Sequence, residues 1–445
     1  MSLRFTRKIP TSLLPAFVAG AIIVSGYGSA QEPETLVLSP DSAAAMAIEN
    51  SLGLQIDAQT AAEADARLKQ ALALDGLTVD LSGVFVYQGP VPTLPPGFET
   101  FFISTIHTET LTATKPLWDW GQTRSQQDFA RAGVDVAASS TAVTKLALAK
   151  LARESLLRLT FEERMLDVDY QTLAGLMEHQ RVTQKRYREG LIAFFDIAQA
   201  DSQVAGQEKF IAERSATVAR HRVVLRQVLR LPQTTPVDVS VADLPERPEG
   251  DLGEAIRIAI DQRPEMANAM MGIRLQEAGL NVASTSRRPS VTVQASLQDQ
   301  TAIGFGSSPL SYSVVLVFQK SILDADRKKN ALREGRASLE KARLRMEQFA
   351  EVIAAEVATA YLQVDHQIER IAAAAVQERS ALEELRISRL RYDTDIGLGR
   401  EVIDAQAEVS RAQTDRALAE LDLHLAIVQL RAAMGMLDLQ EAPVE

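Results

Sequence analysis

The sequence contains no cysteine. This absence excludes a disulfide framework, a thiolate metal site, a cysteine nucleophile and a lipidated N-terminal cysteine. The five histidines are scattered without the spacing of a metal site, and no G-x-x-x-x-G-K-[ST] phosphate-binding loop occurs. We therefore expect no metal and no other cofactor, and the sequence shows no assembled nucleophile or general base that would indicate an enzyme.

Long basic runs are also missing, and the formal net charge is -11. A nucleic-acid partner is not expected, because phosphate recognition requires a concentrated basic surface. Aromatic residues make up only 5% of the chain against 46% hydrophobic residues, so the core must be built from aliphatic side chains. That aliphatic content excludes a chain that is disordered throughout.

Only one hydrophobic run stands out, and it lies at the N-terminus. Three basic residues precede an apolar stretch from Leu13 to Tyr27, and small residues end the segment at Ala30. This layout predicts a secretory signal peptide over residues 1–30. A retained membrane anchor is the alternative, but the apolar run is short for a membrane span. Removal of the segment takes the net charge from -11 to -14.

No later stretch reaches the roughly 18–20 apolar residues of a transmembrane helix. Any insertion of the mature chain into a membrane must therefore use strands. A secreted chain without cysteine is typical of a bacterial periplasm or outer membrane.

The chain repeats itself with an offset of 205 residues. Lys115–Asp119 aligns with Lys320–Asp324, and Arg186–Tyr187 with Arg391–Tyr392, without a gap over about seventy residues. Upstream, the offset widens to 210. The predicted division is a first repeat over 31–231, a proline-rich linker over 232–250, a second repeat over 251–435 and a C-terminal tail over 436–445.

Each repeat shows the same order of elements. Helical periodicity covers 41–75 and 251–286, and alternating apolar residues predict β-hairpins at about 77–114 and 290–319. Very long helices follow, at about 122–188 and 326–391, with a tip turn near 392–400 and a last helix at about 402–434. At 1.5 Å per residue each long helix reaches about 100 Å.

The apolar residues of the second long helix recur at a mean spacing of about 3.7 residues, which favours an 11-residue repeat over a heptad. They are Phe349, Ile353, Val357, Ala360, Val364, Ile368, Ile371 and Ala375.

Two hairpins cannot satisfy their own edges in lipid, because only a closed barrel pairs every backbone group. Four strands per chain close such a barrel when several chains contribute, and three chains would supply twelve strands. The alternative is a non-pore periplasmic coiled-coil scaffold that carries two incidental hairpins.

The signal sequence, the duplicated layout and the tip segments Arg186–Asp196, Arg391–Gly397 and Glu401–Gln406 resemble the TolC family of outer-membrane export ducts. The resemblance covers essentially the whole mature chain. It implies a mainly α fold with transmembrane β: a long-helix α-barrel in the periplasm and a 12-stranded β-barrel in outer-membrane lipid, shared by a homotrimer. It also implies that the helical end docks a periplasmic adaptor protein and an inner-membrane transporter.

The resemblance places gate carboxylates at Glu401 and Asp404. Three-fold symmetry would turn each carboxylate into a ring, and a carboxylate ring favours cations over anions. The alternative is that both residues stabilise the N-terminal end of the last helix, where the helix dipole favours acidic side chains.

Closure of the tip is assigned by the same resemblance. Asp196 matches the family's closing acid and Tyr392 its tyrosine partner, while Gly397 stands where the family's best-known tip has an arginine. We therefore expect a different ion-pair network to close the tip in this chain. The alternative role of the two tyrosines is packing at the turns. The predicted closure residues are Asp196, Tyr187, Tyr392, Arg391 and Arg400.

Two further sets complete the predicted site residues. The family resemblance implies that residues of the tip turns contact the adaptor. The alternative is that these residues only form the turns. Trp118 and Trp120, with Lys115, are placed just after the second strand, where an aromatic belt would meet the membrane interface; packing at the junction is the alternative. The predicted adaptor contacts are Gly190, Leu191, Gly397 and Leu398.

The leading functional hypothesis is an outer-membrane channel of a tripartite efflux system that conducts small molecules passively. An outlet for type I protein secretion is the first alternative, because duct width and partner choice have no sequence motif. The non-pore scaffold is the second. Metal efflux is disfavoured, since neither histidine nor methionine is clustered.

Overall fold

The computed structural model describes residues 36–87, 89, 105–240, 248–300, 310–394 and 396–437. The predicted signal peptide lies outside the described residues, as do residues 438–445 of the predicted tail.

The described chain is mainly helical, with two groups of strands. In the first repeat the elements are β1 (Leu36–Leu38), α1 (Pro40–Glu49), α2 (Leu52–Leu72), β2 (Thr78–Tyr87), β3 (Thr105–Trp118), α3 (Gln122–Arg188) and α4 (Phe194–Leu229). After β4 (Val237–Val239) come α5 (Leu252–Gln262), α6 (Pro264–Thr285), β5 (Ser290–Gln300), β6 (Leu310–Gln319), α7 (Arg327–Asp393) and α8 (Gly399–Ala433).

The duplication extends further than the sequence matches indicate. Helices α3 and α7 have 67 residues each and begin 205 residues apart, as do α4 and α8. From the first helix through the first strand of each hairpin the offset is 212: α1 and α5, α2 and α6, and β2 and β5 begin 212 residues apart. The sequence-based offset of 210 for this part was therefore wrong. The change from 212 to 205 falls between the first and second strands of the hairpins.

The segments predicted as single helical stretches are each divided in two. Between α1 and α2, the Ser51 side chain accepts the Leu54 N–H at 3.2 Å and caps a new helix. Between α5 and α6, Arg263 is extended because it precedes Pro264. Apolar periodicity alone did not reveal these breaks, since the spacing continues across them.

Both long helices begin after two consecutive residues with left-handed backbone. The φ angles are 50° at Trp120 and 89° at Gly121, and 52° at Ala325 and 63° at Asp326. These pairs are again 205 residues apart. Three of the four are not glycine, so the sharp change of direction from sheet to helix imposes local strain.

An aspartate stabilises each of these junctions. The Asp119 carboxylate accepts the N–H groups of Gly121 at 3.0 Å and Thr123 at 2.5 Å. In the second repeat Asp324 accepts the N–H of Lys328 at 3.2 Å. The repeated Lys-x-x-x-Asp segments thus end in the residue that satisfies the first N–H groups of each long helix.

The two hairpins form one four-stranded antiparallel sheet in the order β2-β3-β5-β6. The register aligns Leu81 with Leu111, Leu111 with Leu297, and Leu297 with Tyr312. These four side chains are between 41% and 85% exposed. Strands β2 and β6 form the outer edges of the sheet within the described chain.

A second, small sheet lies against the helices of the first repeat. Strand β1 pairs in parallel with β4, aligning Leu36 with Val237 and Leu38 with Val239. Leu38 and Val237 are buried against the apolar side chains of α3 and α4. Part of the segment predicted as a linker is therefore structured.

Helices α7 and α8 pack along a heptad seam. In α7 the buried positions recur every seven residues, and in α8 two rows do the same, so the expectation of an 11-residue repeat was wrong. Ile368 is 43% exposed, while Gln367 beside it is 3% exposed and lies on the seam. The seam-forming row of α7 is Ile353, Ala360, Gln367, Ala374 and Ala381, and that of α8 is Ala405, Ala412, Ala419, Ala426 and Ala433.

Ion pairs connect the helices beside these seams. Arg370 of α7 contacts Asp422 of α8 at 2.6 Å, and Arg416 of α8 contacts Glu378 of α7 at 2.5 Å. Between α3 and α4, Arg214 contacts Asp169 at 2.5 Å, and Asp169 is buried. None of the described helices is long and apolar enough to cross a membrane.

The heptad seam leads to a matched pair of substitutions on α7. Ile353 is fully buried and Ile368 is 43% exposed. We expect Ile353→Ala to lower the free energy of unfolding by about 2–5 kcal/mol through the cavity that it creates. Ile368→Ala should cost at most about 0.5–1 kcal/mol. Denaturant unfolding of the purified variants measures both; equal losses would contradict the heptad assignment.

Candidate functional site at the helical tip

The predicted site residues lie mostly where α3 turns into α4 and α7 turns into α8. A buried apolar cluster holds the second of these turns, with Val182 of α3 packed against it. The cluster therefore joins the first repeat to the second at the tip. Its buried members are Ala381, Leu385, Tyr392, Val402, Ala405, Val409 and Ala412.

Both turns favour glycine, for different reasons. Gly190 has a φ of 76°, and its N–H donates to the Tyr187 carbonyl at 2.9 Å. Gly397 does not have a left-handed backbone, but a Cβ at this position would lie 3.0 Å from the Arg391 Cβ and 3.1 Å from the Tyr392 nitrogen. A side chain here, such as the arginine of the family's best-known tip, would require the turn to shift by a few tenths of an ångström.

Tyr392 connects α7 to α3. Its ring is 6% exposed. Arg186 donates to the Tyr392 carbonyl at 2.6 Å, and its guanidinium carbon lies 4.0 Å from the centre of the tyrosine ring. The ring of His179 lies 5.4 Å from the same ring. A hydrogen bond and a cation–π contact from α3 thus hold Tyr392 in place.

Asp196 has a local partner in the structure. Its carboxylate accepts the Ala193 N–H at 3.2 Å, which satisfies a free donor at the start of α4. Tyr187 packs edge-on against Phe194, with ring centres 6.2 Å apart. Both contacts lie within the first tip turn, and a role of Asp196 and Tyr187 in closure stays a prediction.

The two predicted gate carboxylates each lie beside a predicted closure arginine. Glu401 pairs with Arg391 at 3.5 Å, and Asp404 pairs with Arg400 at 3.4 Å. Asp404 is 67% exposed at its side chain and Arg400 is 77% exposed, so their mutual attraction is weak and screened by salt. Two carboxylate–guanidinium pairs per chain therefore lie between the end of α7 and the start of α8.

The end of the tip exposes apolar side chains. Leu191 and Leu398, both predicted adaptor contacts, are 63% and 69% exposed, and neighbouring Phe194 and Phe195 are 66% and 72% exposed. The phenylalanines were not among the predicted contacts. Their signal was the Phe-Phe pair directly after the turn, within the tip segment Arg186–Asp196.

Three polar residues near Tyr392 were also missed. Arg389 of α7 donates to the Gln406 side chain of α8 at 2.8 Å. Burial, together with the positive charges of Arg389 and Arg186, lowers the pKa of His179 below its ordinary value. The available signal for His179 and Arg389 was their position within about two turns of the duplicated Arg-Tyr pairs, but contact between α3 and α7 cannot be derived from spacing along one helix.

The tryptophans lie at the other end of α3, and their predicted placement needs correction. Lys115 and Trp118 belong to β3 itself rather than to the segment after it. The strand extends four residues further because Lys115 and Pro116 still align with β5, after which the register shifts before Trp118. Trp118 and Trp120 contact each other edge to face, with ring centres 6.0 Å apart. Whether they face a membrane interface stays a prediction.

Among the described residues, no group of three or more metal-binding side chains is positioned to hold an ion. The chemistry of the tip is therefore that of contacts between helices: ion pairs, one buried aromatic ring and exposed apolar ends.

The role of Tyr392 is tested by two substitutions. Both contacts from Arg186 use the backbone carbonyl and the face of the ring, which Tyr392→Phe keeps. We expect this change to alter the free energy of unfolding by less than about 1 kcal/mol. Tyr392→Ala should cost about 3–5 kcal/mol because the buried ring is lost. Calorimetry or denaturant unfolding compares the two; a large loss in the Phe variant would assign the stabilisation to the hydroxyl.

Comparison with known proteins places this geometry in context. No curated protein sequence matches the chain. Among solved structures, CusC aligns with a TM-score of 0.77 at 17% identity, covering 89% of this chain and 92% of CusC. CmeC, an outer membrane channel of Campylobacter jejuni, aligns with a TM-score of 0.76 at 15% identity over 89% and 85% of the two chains. The outer membrane protein VceC of Vibrio cholerae aligns with a TM-score of 0.73 at 15% identity, covering 89% of this chain and 96% of VceC.

These alignments confirm the expected mainly helical fold with strands. A family model described as outer membrane efflux protein matches residues 44–229 and 255–436. The match covers most of the chain and both of its repeats. The chain therefore belongs to the outer membrane efflux protein family, which makes it an efflux protein of the outer membrane.

Proposed function

We propose that three copies of the chain form a passive conduit for small molecules. Three four-stranded sheets close a 12-stranded β-barrel in the outer membrane, and the long helices form an α-barrel through the periplasm. One observation carries this proposal: a single four-stranded sheet, with its edges at β2 and β6, lies at one end of two 67-residue helices.

The edges of the sheet call for pairing with other copies. Strands β2 and β6 have ten residues each, and each is paired on one side within the described chain. A long, apolar, unpaired edge is a site of association in water and is not tolerated in lipid. Pairing of β6 in one copy with β2 in the next satisfies both edges and repeats until the ring closes.

The exposed side chains of the sheet suit lipid on its outer side. Val79, Leu81 and Phe85 on β2 are 57%, 76% and 69% exposed, and they alternate with other residues along the strand. In β6, Tyr312, Val314 and other apolar side chains are exposed. Strands of about ten residues have the length that a tilted membrane-spanning strand requires.

The partners we propose are a periplasmic adaptor and an inner-membrane transporter, which supplies the energy for export. The adaptor docks at the helical tip, where Leu191, Phe194, Phe195 and Leu398 expose apolar surface. Apolar side chains left in water at the end of a long bundle are typical of a protein-binding surface.

Reconstitution of the mature chain into planar lipid bilayers tests the conduit. We expect a trimer in detergent, measured by light scattering or native mass spectrometry, and discrete conductance steps in the bilayer. The physical reason is that only closure of the sheet satisfies β2 and β6 in lipid. A monomer that shows no conductance would reject the conduit and favour the scaffold interpretation.

The ion pairs at the start of α8 lead to a paired prediction about selectivity. Asp404 and Arg400 are both exposed and contact each other at 3.4 Å. In a trimer, Asp404→Ala removes three negative charges and should weaken block of the conductance by multivalent cations. Arg400→Ala removes three positive charges and should strengthen that block.

Block is measured as the concentration of a trivalent cation that halves the conductance. We expect the two variants to shift this concentration in opposite directions, each by about three-fold or more. Shifts in the same direction, or no shift in either, would show that these residues do not line the constriction.

A further inference from the structure

His179 lies where α3, α7 and α8 meet at the tip. Its ring centre is 5.4 Å from that of Tyr392 on α7. From α8, a Cβ built on Gly399 would lie 3.6 Å from the imidazole Cε1 and 3.7 Å from Nε2, so the first residue of α8 lies beside the edge of the imidazole. The imidazole of α3 in the first repeat therefore lies beside both helices of the second repeat at the tip.

The charges around the imidazole are positive. Arg186 lies on the same helix as His179, and Arg389 lies on α7; these are the described charged groups that act on the imidazole. From α8, the nearby carboxylate Glu401 is paired with Arg391. Arg389 is fixed by its hydrogen bond to Gln406. Protonation of His179 would add a third positive charge beside a buried tyrosine ring.

We propose that His179 is a proton-operated latch for the tip: the neutral imidazole packs between the repeats, and its protonation separates α3 from α7 and α8 and so opens the conduit. This inference rests on the proposed function, since it assigns a regulatory ligand, the proton, to the same tip. The contacts that break when the tip opens are those of His179 and Arg186 with Tyr392.

The direction of the pH dependence follows from the burial of the imidazole. Burial, then Arg389 and Arg186, lower the pKa of His179 in the packed tip below the ordinary value of 6.5. In an opened tip the imidazole is hydrated and regains that ordinary pKa. The opened form therefore binds the proton more tightly, and the stability of the packed tip is complete above pH 6.5 and falls as the pH is lowered below it.

Single-channel recordings of the full trimer at about pH 7.5 and about pH 5 test the latch. The wild type is compared with His179→Gln, which is polar but cannot be protonated in this range, and with His179→Lys, which carries a permanent charge. His424→Gln is the matched control: His424 on α8 also has its pKa lowered by burial, but it lies far along the helix from the tip turn.

We expect acid to raise the wild-type conductance or open probability by about three-fold or more. The His179→Gln variant should lose this response while keeping the conductance seen near neutral pH, and His179→Lys should be open at both pH values. His424→Gln should respond as the wild type does. An unchanged acid response in His179→Gln would overturn the latch.

A second measurement does not depend on conductance. Because the chain has no cysteine, the exposed tip residue Glu189 can be changed to cysteine and spin-labelled as the only thiol. Distances between the three labels in the trimer should lengthen on acidification, and His179→Gln in the same background should abolish the change. Equal lengthening in both backgrounds would overturn the proposal.

These outcomes are separable from failure of the proposed function. A wild-type protein that is not trimeric, or that conducts at neither pH value, rejects the conduit itself. A conducting trimer whose acid response is independent of residue 179 rejects only the latch.

Discussion

The seam between α7 and α8 is the constraint on which the rest of the structure depends. A helix of 67 residues cannot be stabilised by its own hydrogen bonds against solvent along its whole length, so it must bury one continuous stripe against a partner. The seven-residue recurrence from Ile353 to Ala381 provides that stripe, and small residues on the α8 side let the backbones approach closely. Because a heptad stripe faces its partner only when the helices coil to the left, this spacing also sets the direction of twist.

The duplication supplies the geometry at both ends of these helices. At the sheet end, Asp119 and Asp324 occupy equivalent places and satisfy the first N–H groups of α3 and α7. At the tip the two repeats have diverged: the first turn relies on the positive φ of Gly190, and the second on the close approach of Gly397 to Arg391. The helices of the two repeats are similar but their tip turns differ, so each repeat makes its own side-chain contacts at the tip.

Much of the fold was predictable because it depends on periodic patterns. The ends of α3 matched the expectation, and the strands were found from alternation, although β3 continues through Lys115 to Trp118. The 11-residue assignment failed because it counted only large apolar residues: it followed Ile368 onto an exposed face and missed Gln367, whose amide is accommodated on the seam. At the tip, the resemblance selected Tyr392 and Arg391, but not His179 or Arg186, which reach Tyr392 from a helix some 200 residues earlier.

The sequence by itself determined the duplicated order of helices and strands, the length of the helices and the absence of thiol chemistry, because composition and local periodicity are properties of neighbouring residues. Only the tertiary structure decided that the two hairpins join through β3 and β5, that Arg391 pairs with Glu401, and that His179 packs against Tyr392 beside Gly399. The physical reason is that these contacts join residues from separate elements, and their partners are selected by the twist and packing of whole helices rather than by spacing along the chain.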